Sequence, residues 1–313
     1  MTSTACLVDA SPYVFRAFFS LPDSLRDKRG NPMGAVYGFA SFLLKLIAEQ
    51  KPAYLAVAFD RNLNSSFRNQ YYPAYKAQRE LPPPDLERQL LLCEEVASAL
   101  GAATFADDLF EADDLIGTLC DRLLGAVAGG AAELDVLVVS TDKDLAQLVR
   151  DAPAGRAGSV ALLEPGKGTL FRAAEVGEVF GVRPEQIPDL LGLAGDPVDN
   201  IPGVAGIGRK TAAALLARFG DLDDLYARLD DVLTSGLRGA KGLHQRLAGG
   251  REIAFLSRRL ATISLDAPVT AGPADLLSHL LYGGADRQRV ERLFEELGFG
   301  RIRERIPLWH ETG

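Results

Sequence analysis

Near-continuous apolar runs alternate with helical periodicity along the first half of the chain. Residues 6–10 (CLVDA), 53–60 (AYLAVAFD) and 134–142 (LDVLVVSTD) have too little polar alternation for a strand with one wet face, so they read as strands buried on both sides. SVALLEP at 159–165 follows a Gly/Pro-rich loop and predicts a fourth, shorter strand. Between these runs the spacing predicts helices at about 34–50, 84–100 and 112–128. Alternation of this kind predicts an α/β fold with a parallel-type central sheet. From about residue 172 no strand pattern recurs. Helical segments at 172–180, 184–194, 207–219, 222–229, 241–261 and 286–297 are broken by Gly and Pro. The change sets a boundary near residue 171, with a core at 1–171 and a helical region at 172–313.

The stretch RNLNSSFRNQYYPAYKAQRELPPP (61–84) is a long connection for a compact core, and insertions of that length are usually functional or disordered. Arg61, Arg68, Lys76 and Arg79 stand there with no acid before residue 80, interleaved with Phe67, Tyr71, Tyr72 and Tyr75. Cations that track a backbone and rings that stack on bases make a sequence-tolerant grip on single strands, which casts Arg68, Tyr72 and Tyr75 as nucleic-acid contacts. A second acid-free run, 237–251, holds Arg238, Lys241, Arg246 and Arg251. The net charge of the 313 residues is −8. That sum argues against a polyanionic partner, but a polyanion feels the local patch rather than the total.

Hydrophobic content of 47% and charged content of 24% are ordinary for a globular chain. The best apolar run, GFASFLLKLIAE, is broken by Lys45, and the N-terminal residues MTSTACLVDA lack the basic region of a signal peptide. The expectation is a cytoplasmic protein with no membrane partner. Cys6, Cys93 and Cys120 are odd in number, far apart and in apolar contexts, so they read as reduced packing residues.

The chemistry lies in the carboxylates. Asp9, Asp60 and Asp142 each close a predicted strand, and ligands of open α/β sheets bind outside the carboxyl ends of the strands. Asp144 follows Asp142 at i+2. LFEADDLIGTLCDRLL (109–124) crowds Glu111, Asp113 and Asp114 at the mouth of an apolar helix. A helix N-terminus favours one or two acids, but three repel by roughly 1 kcal/mol per pair at ~4 Å in water and by more near a protein surface. GDPVDN adds Asp196 and Asp199 at i, i+3. Nine acids from five segments can thus point into one pocket. His occurs only at 244, 279 and 310, and the cysteines too stand outside the acid cluster, so the donors are all oxygen and suit Mg²⁺ or Mn²⁺ rather than zinc or copper. Nine carboxylates exceed the need of one octahedral ion. Two ions ~3.5–4 Å apart, clamping the attacking and leaving oxygens of a phosphoryl displacement, use them sensibly.

Directly after Asp199 comes NIPGVAGIGRKTAAALLARFG (200–220). Gly203, Gly206 and Gly208 permit a tight helix–loop–helix turn and close backbone approach. A helix beginning near Ile207 would offer free N–H groups to a phosphate, with Lys210 and Thr211 beside it. No strand precedes these glycines and their order is wrong for a Rossmann or P-loop fingerprint.

Taken in order, LVDASPYVFRAF, AFD, YPAYKAQR, FEADDLIGTL, STDKDLAQLV and GDPVDNIPGVAGIGRKTAAALL resemble the bacterial 5′→3′ exonuclease/flap endonuclease family, which includes the 5′-nuclease domain of bacterial DNA polymerase I and standalone relatives. The resemblance is strong over about residues 5–220 and looser to about 260. It implies a PIN-like α/β core, a helical arch or clamp over the active site at about 61–84, and a C-terminal helix-turn-helix-type DNA-binding region with its Gly-rich hairpin at about 200–220. By the same resemblance the metal ligands are Asp9, Asp60, Glu111, Asp113, Asp114, Asp142, Asp144, Asp196 and Asp199, all acidic here. The family's arch lysine matches Lys76, flanked by Tyr75 and Arg79, and its early basic residue matches Arg16, so Lys76, Arg79 and Arg16 are the implied catalytic cations. Implied cofactors are two Mg²⁺ ions, replaceable by Mn²⁺, and a K⁺ held by backbone carbonyls at the hairpin.

The implied reaction is cleavage of DNA at 5′ flaps, 5′ ends and branched duplexes by a monomer, in replication or repair, leaving a 5′-phosphate and a 3′-hydroxyl. RNA primer ends are a further implied substrate. Arg238 and Lys241 are expected to touch the DNA backbone. Ala10 stands where Gly usually follows the first Asp, and Phe110 where Tyr usually precedes the Glu; neither removes a ligand. The chain stops where a polymerase would continue, which reads as a standalone nuclease. The arginines of the tail GFGRIRERIPLWHETG read as a solvated face. Two rival readings stay open, a non-cleaving structure-specific DNA-binding protein and a PIN-type ribonuclease.

Overall fold

In the computed structural model, which describes residues 2–22, 24–61, 66–80, 82–269 and 273–310, the apolar runs of the first half form a largely parallel sheet. β1 (Ser3–Asp9), β2 (Tyr54–Asp60), β3 (Ala103–Asp107), β4 (Leu134–Val139) and β5 (Val160–Glu164) are parallel, and β6 (Thr169–Phe171) pairs antiparallel with β5. The order β3-β2-β1-β4-β5-β6 sets β1 between β2 and β4. The winding therefore reverses at β1, which opens a crevice at the carboxyl ends of β1 and β4.

The helices are α1 (Ser11–Ser20), α2 (Gly34–Gln50), α3 (Pro84–Ala99) and α4 (Ala112–Ala128) within the sheet region. Beyond β6 come α5 (Ala173–Phe180), α6 (Ile187–Ala194), α7 (Arg209–Phe219), α8 (Leu222–Ala227), α9 (Ala240–Gly249), α10 (Arg251–Ala261), α11 (Pro273–Leu280) and α12 (Arg287–Leu297). The period-2 alternation of the strands feeds two cores. Cys6, Val8, Leu55, Val57 and Phe59 pack under α1–α3 and α12. Ala5, Leu7, Ala56 and Ala58 pack under α4, and that core runs on into α6, α7 and α10. Burying one Leu, Ile or Phe contributes about 1.5–3 kcal/mol. Leu115, Ile116, Leu119 and Leu123 of α4 are all fully buried, which pins the acidic mouth of that helix to the sheet edge.

Several elements depart from the expected pattern. SPYVFRAFFS gives no clear helical signal, being rich in aromatics of middling propensity, yet α1 forms because packing holds it: the Tyr13 and Phe42 rings stack with centroids 3.7 Å apart. ATFAD is too short and alanine-rich to announce β3, which pairs with β2. The helix expected over 241–261 breaks into α9 and α10 at Gly250, where an added Cβ would stand 2.6 Å from Val204 Cγ1. The residues after α12 return to the sheet region, with Phe299 edge-on to Tyr37 at 5.4 Å. Arg301, Arg303 and Arg305 are exposed as expected, and Arg305 Nη2 also donates to the Ser41 carbonyl at 3.1 Å. Residues 62–65 and 81 of the insertion, and 311–313 of the tail, lie outside the described residues.

Among the described residues no helix is long and apolar enough to cross a membrane. The three cysteines are free and buried, and burial pushes the thiols of Cys6 and Cys120 up to about 12.

Candidate active site

Two serines knit the strand-end acids together. Asp9 ends β1; its Oδ1 accepts the Ser11 amide at 3.2 Å and its Oδ2 the Ser140 hydroxyl at 2.7 Å. Asp60 ends β2; its Oδ2 accepts the Ser11 hydroxyl at 2.6 Å and its Oδ1 the amide of Ala112, the first residue of α4, at 2.8 Å. The Ser140 hydroxyl accepts the Asp142 amide, and Asp142 Oδ1 accepts the Asp144 amide, both at 2.9 Å. Ser11 and Ser140 each stand two residues from an Asp, in VDAS and STD, a local hydrogen-bonding spacing that sequence reading passed over.

Asp9, Asp60, Glu111, Asp113 and Asp142 line a cleft of about 430 Å³ with Ser11, Pro12, Phe15, Lys76 and Arg79. Burial, then repulsion from Asp60 and Asp142, pushes Asp9 up to about 8. Asp144, Asp196 and Asp199 are not among the residues that line this cleft; burial, then Asp142, Asp196 and Asp199, pushes Asp144 up to about 8. Asp113 is raised well above the usual carboxylate value by burial and then by Asp142 and Asp9, and Asp142 is raised chiefly by burial. Burial would raise Glu111 too, but Lys76 and Arg68 beside it hold it below its ordinary value. Among the described residues no three His, Cys, Asp or Glu side chains converge on one point as they stand; Glu111 and Asp199 engage Lys76 and Arg79 instead. The donors nonetheless fit hard divalent cations, being all oxygen, and four of them, Asp9, Asp113, Asp142 and Asp144, are raised in pKa by burial and neighbouring acids.

The insertion straps this cleft to the turn after α6. The Lys76 amide donates to the Asp199 carbonyl at 3.1 Å, while its Nζ donates to Glu111 Oε1 and lies 3.5 Å from Asp199 Oδ2. Arg79 Nη2 donates to Asp199 Oδ1 at 2.6 Å. Asn200 Nδ2 donates to the Ala74 carbonyl at 2.6 Å, and Gln78 Nε2 to the Val198 carbonyl at 2.8 Å. Lys76 and Asn200 are both left-handed, with φ of +54° and +57°. Such conformations cost on the order of 1–3 kcal/mol and persist where the surroundings over-determine them. Here they turn the lysine into the cleft.

Asp114 does not line the cleft. It is fully buried, and its two oxygens accept from Arg68 Nη2 and Nη1 at 2.8 Å each, from the Ser264 amide at 2.8 Å and from the Glu111 amide at 3.1 Å. One residue along a helix is a 100° turn, so Asp113 and Asp114 face different ways. Arg68 and Tyr75, expected on DNA, are internal at 3% and 4% exposure, and the Tyr75 hydroxyl donates to Glu111 Oε2 at 3.0 Å. Tyr72 is half-buried against the core. Around Arg68 the aromatic–basic interleaving of the insertion packs internally: Phe67 meets Phe110 at 5.2 Å and carries the Arg68 guanidinium. Arg16 stands outside the acidic cleft. Ser11, Pro12 and Phe15 form the cleft face of α1, whereas Tyr13, Arg16, Ala17 and Ser20 line a separate cavity beside Gly166.

The Gly-rich hairpin joins α6 to α7. Asp196 and Ile201 exchange amide bonds at 2.8 and 2.7 Å. Gly203 (φ +61°) lies so close to Gly195 that an added Cβ would stand 2.2 Å from its nitrogen, and its own amide donates to Ser257 Oγ on α10 at 3.0 Å. Gly206 is exposed at φ +77°. Helix α7 starts at Arg209; Ile207 is buried in the turn before it. A Cβ at Gly208 would meet nothing within 4 Å, so the space before the α7 N-terminus is open, with Lys210 exposed and Thr211 half-buried. Arg209 Nη2 lies 3.8 Å from Asp196 Oδ2, which ties this helix start to the turn after α6. Arg238 and Lys241 are exposed around the start of α9.

A parallel sheet with this acid edge, a basic strap and a helical hairpin region make up a PIN-like core with a helix-turn-helix-type annex. Profiles of the 5′–3′ exonuclease N-terminal resolvase-like domain and of the 5′–3′ exonuclease C-terminal SAM fold match residues 4–181 and 182–281, and the chain belongs to the 5′–3′ exonuclease family. It is 39% identical to the DNA polymerase I of Bacillus caldotenax over 308 residues, covering 98% of this chain and 32% of that protein. The DNA polymerase I of Pseudomonas aeruginosa is 40% identical over 294 residues, covering 94% and 30%. The chain spans about a third of the length of these relatives. Among solved structures, bacteriophage T5 5′-exonuclease with zinc ions bound has a TM-score of 0.64 at 22% identity, over 94% of this chain and 99% of that one. The T5 flap endonuclease in a pseudo-enzyme–product complex with DNA and metal ions has a TM-score of 0.62, also at 22% identity and the same coverage. Both share the fold.

Proposed function

We propose that the chain hydrolyses phosphodiester bonds of DNA at 5′ ends and 5′-flap junctions, as a divalent-metal-dependent 5′→3′ exonuclease and flap endonuclease. The observation that carries this reading is that Asp9, Asp60, Glu111, Asp113 and Asp142 line one cleft together with Lys76 and Arg79. The names of its relatives, DNA polymerases and a flap endonuclease seen with DNA and metal ions, support it.

Two Mg²⁺ ions, or Mn²⁺ in their place, suit the donors, and when bound would supply a Lewis-acid clamp and a nucleophilic water at neutral pH. Asp9, Asp60, Asp113 and Asp142 are the inner holders in this reading, and Glu111, Asp144, Asp196 and Asp199 the outer ones. Ser11 and Ser140 keep the carboxylates of Asp9 and Asp60 in fixed rotamers through the bonds described above. Lys76 and Arg79, once released from Glu111 and Asp199, face the position of a phosphate and offset the charge that develops on its oxygens. The hairpin amides, Gly208, Lys210 and Thr211 grip a duplex backbone, the hairpin carbonyls would hold a K⁺ as part of the same grip, and Arg238 and Lys241 extend it. The acting form is a monomer, and RNA primer ends are a second substrate.

Incubation with a 5′-flap duplex, the matching blunt duplex and the single strand tests this. Mg²⁺-dependent cutting near the flap junction supports the reading. Tight flap binding with intact strands under Mg²⁺ and Mn²⁺ points to the non-cleaving rival.

A further inference from the structure

Arg68 uses every donor it has. Its Nε donates to the Leu260 carbonyl at 2.9 Å, Nη1 to Asp114 Oδ2 at 2.8 Å and Glu111 Oε2 at 3.0 Å, and Nη2 to Asp114 Oδ1 at 2.8 Å and the Thr262 carbonyl at 3.0 Å. A guanidinium presents five N–H groups in a rigid planar fork, and all five are engaged here. No donor is left for a phosphate, and the side chain is buried.

Three segments meet at that fork: the insertion, the mouth of α4, and the C-terminal end of α10. Helix α10 also holds the hairpin, because Ser257 Oγ accepts the Gly203 amide at 3.0 Å. Glu111 faces the cleft, where Lys76 and Tyr75 donate to it. A continuous path of polar contacts and one rigid helix therefore runs from the hairpin, through Ser257, α10 and Arg68, to a carboxylate of the cleft.

We propose that Arg68 is a positioning residue that fixes Glu111 relative to the hairpin and thereby sets which phosphodiester bond is cut. This rests on the reading of the cleft as a 5′-nuclease site. An ammonium carries the same charge but only three donors and no planar fork, so Arg68→Lys keeps the electrostatics and loses the geometry. A second variant, Arg68→Met with Asp114→Leu, removes both buried charges together and leaves neither stranded.

The test uses the whole chain. It measures kcat and cut position on a 5′-flap duplex with Mg²⁺, flap affinity in EDTA, and Mn²⁺ affinity without DNA by paramagnetic resonance. For both variants the expected result is a kcat lower by roughly 10- to 100-fold, the usual effect of losing a group that orients a metal ligand. Flap affinity should stay within about twofold, the cut should spread from one bond to its neighbours, and Mn²⁺ should bind several-fold more weakly to Arg68→Lys. Wild-type rate and cut position in a folded Arg68→Lys would reduce Arg68 to packing and overturn the proposal. Weaker flap binding at unchanged kcat would overturn it too, by making Arg68 a DNA contact. If the wild-type protein binds Mn²⁺ but cuts no flap, the nuclease reading fails, and the Mn²⁺ comparison still decides Arg68: equal affinities overturn the positioning role.

Discussion

Lys76 and Asp199 are joined twice, by a backbone bond from amide to carbonyl at 3.1 Å and by an approach of Nζ to within 3.5 Å of Asp199 Oδ2. The first contact fixes where the strap crosses the cleft, and the second sets an ammonium between acids of two distant segments. Burial alone would lower the Lys76 pKa, but Glu111, Tyr75 and Asp199 hold it well above the usual lysine value. The cation is therefore a resident of the acid cluster.

Replacing it should separate two roles. Lys76→Ala is expected to lower the single-turnover cleavage rate by about 100-fold, the range seen on removing one transition-state donor. The same variant should bind Mn²⁺ more tightly, because a competing charge has gone. Rapid-quench cleavage and Mn²⁺ titration on one preparation check both, and an unchanged rate would remove Lys76 from the chemistry.

The raised carboxylates fix the direction of a pH effect. Asp9 and Asp144 move from an ordinary 3.8 to about 8 in the folded protein. Between those values the folded state holds protons that the unfolded state has released, so without divalent ions stability is greatest below about pH 4 from these groups and falls as pH rises towards 8. Thermal melts in EDTA should show Tm dropping from pH 5 to pH 8. Mg²⁺ or Mn²⁺ should raise Tm and flatten the slope. A Tm that climbs with pH in EDTA would contradict the description of the cleft.

Two acids that look alike in sequence should respond in opposite ways. Asp114→Ala strands the buried Arg68 charge and should cost about 3–5 kcal/mol of stability, read by urea unfolding in EDTA. Asp142→Ala relieves repulsion among buried acids and should raise Tm in EDTA. Similar effects in both would mean that Asp114 belongs to the ligand set after all.

That pair also shows where sequence reading runs out. The EADD crowding and the strand-end positions of Asp9 and Asp60 were legible, because residue type and strand order alone place them at the sheet edge, whereas the strap lysine was legible only through the family resemblance. The facing of Asp114, Arg68 and Arg16 was not, since it depends on one helical step or on contacts to Leu260, Thr262 and Ser264, about 150 residues or more away in the chain. α1 and β3 escaped notice because tertiary packing, not local propensity, holds them.

The hairpin glycines should divide likewise. Gly203→Ala forces a Cβ against Gly195 at a left-handed φ and should destabilise the hairpin by about 1–3 kcal/mol. Gly208→Ala has open space around it, so Tm should hold while affinity for duplex DNA falls, because the methyl occupies the approach to the α7 amides. Equal DNA affinity for Gly208→Ala and wild type would remove that helix start from the interface.

Arg238→Ala and Lys241→Ala should each weaken flap binding uniformly across sequences. Each should also lower the slope of log K against log salt by about one if each meets one phosphate. An unchanged slope would make that run ordinary solvated surface.

The most direct measurement is single-turnover cleavage of a 5′-flap duplex by the wild-type chain and by Asp142→Ala, each with Mg²⁺ and with EDTA, alongside flap binding for both. The account predicts cutting near the junction by the wild type with Mg²⁺ alone, and binding by both proteins. Cutting by Asp142→Ala at the wild-type rate, or cutting by the wild type in EDTA, would contradict it.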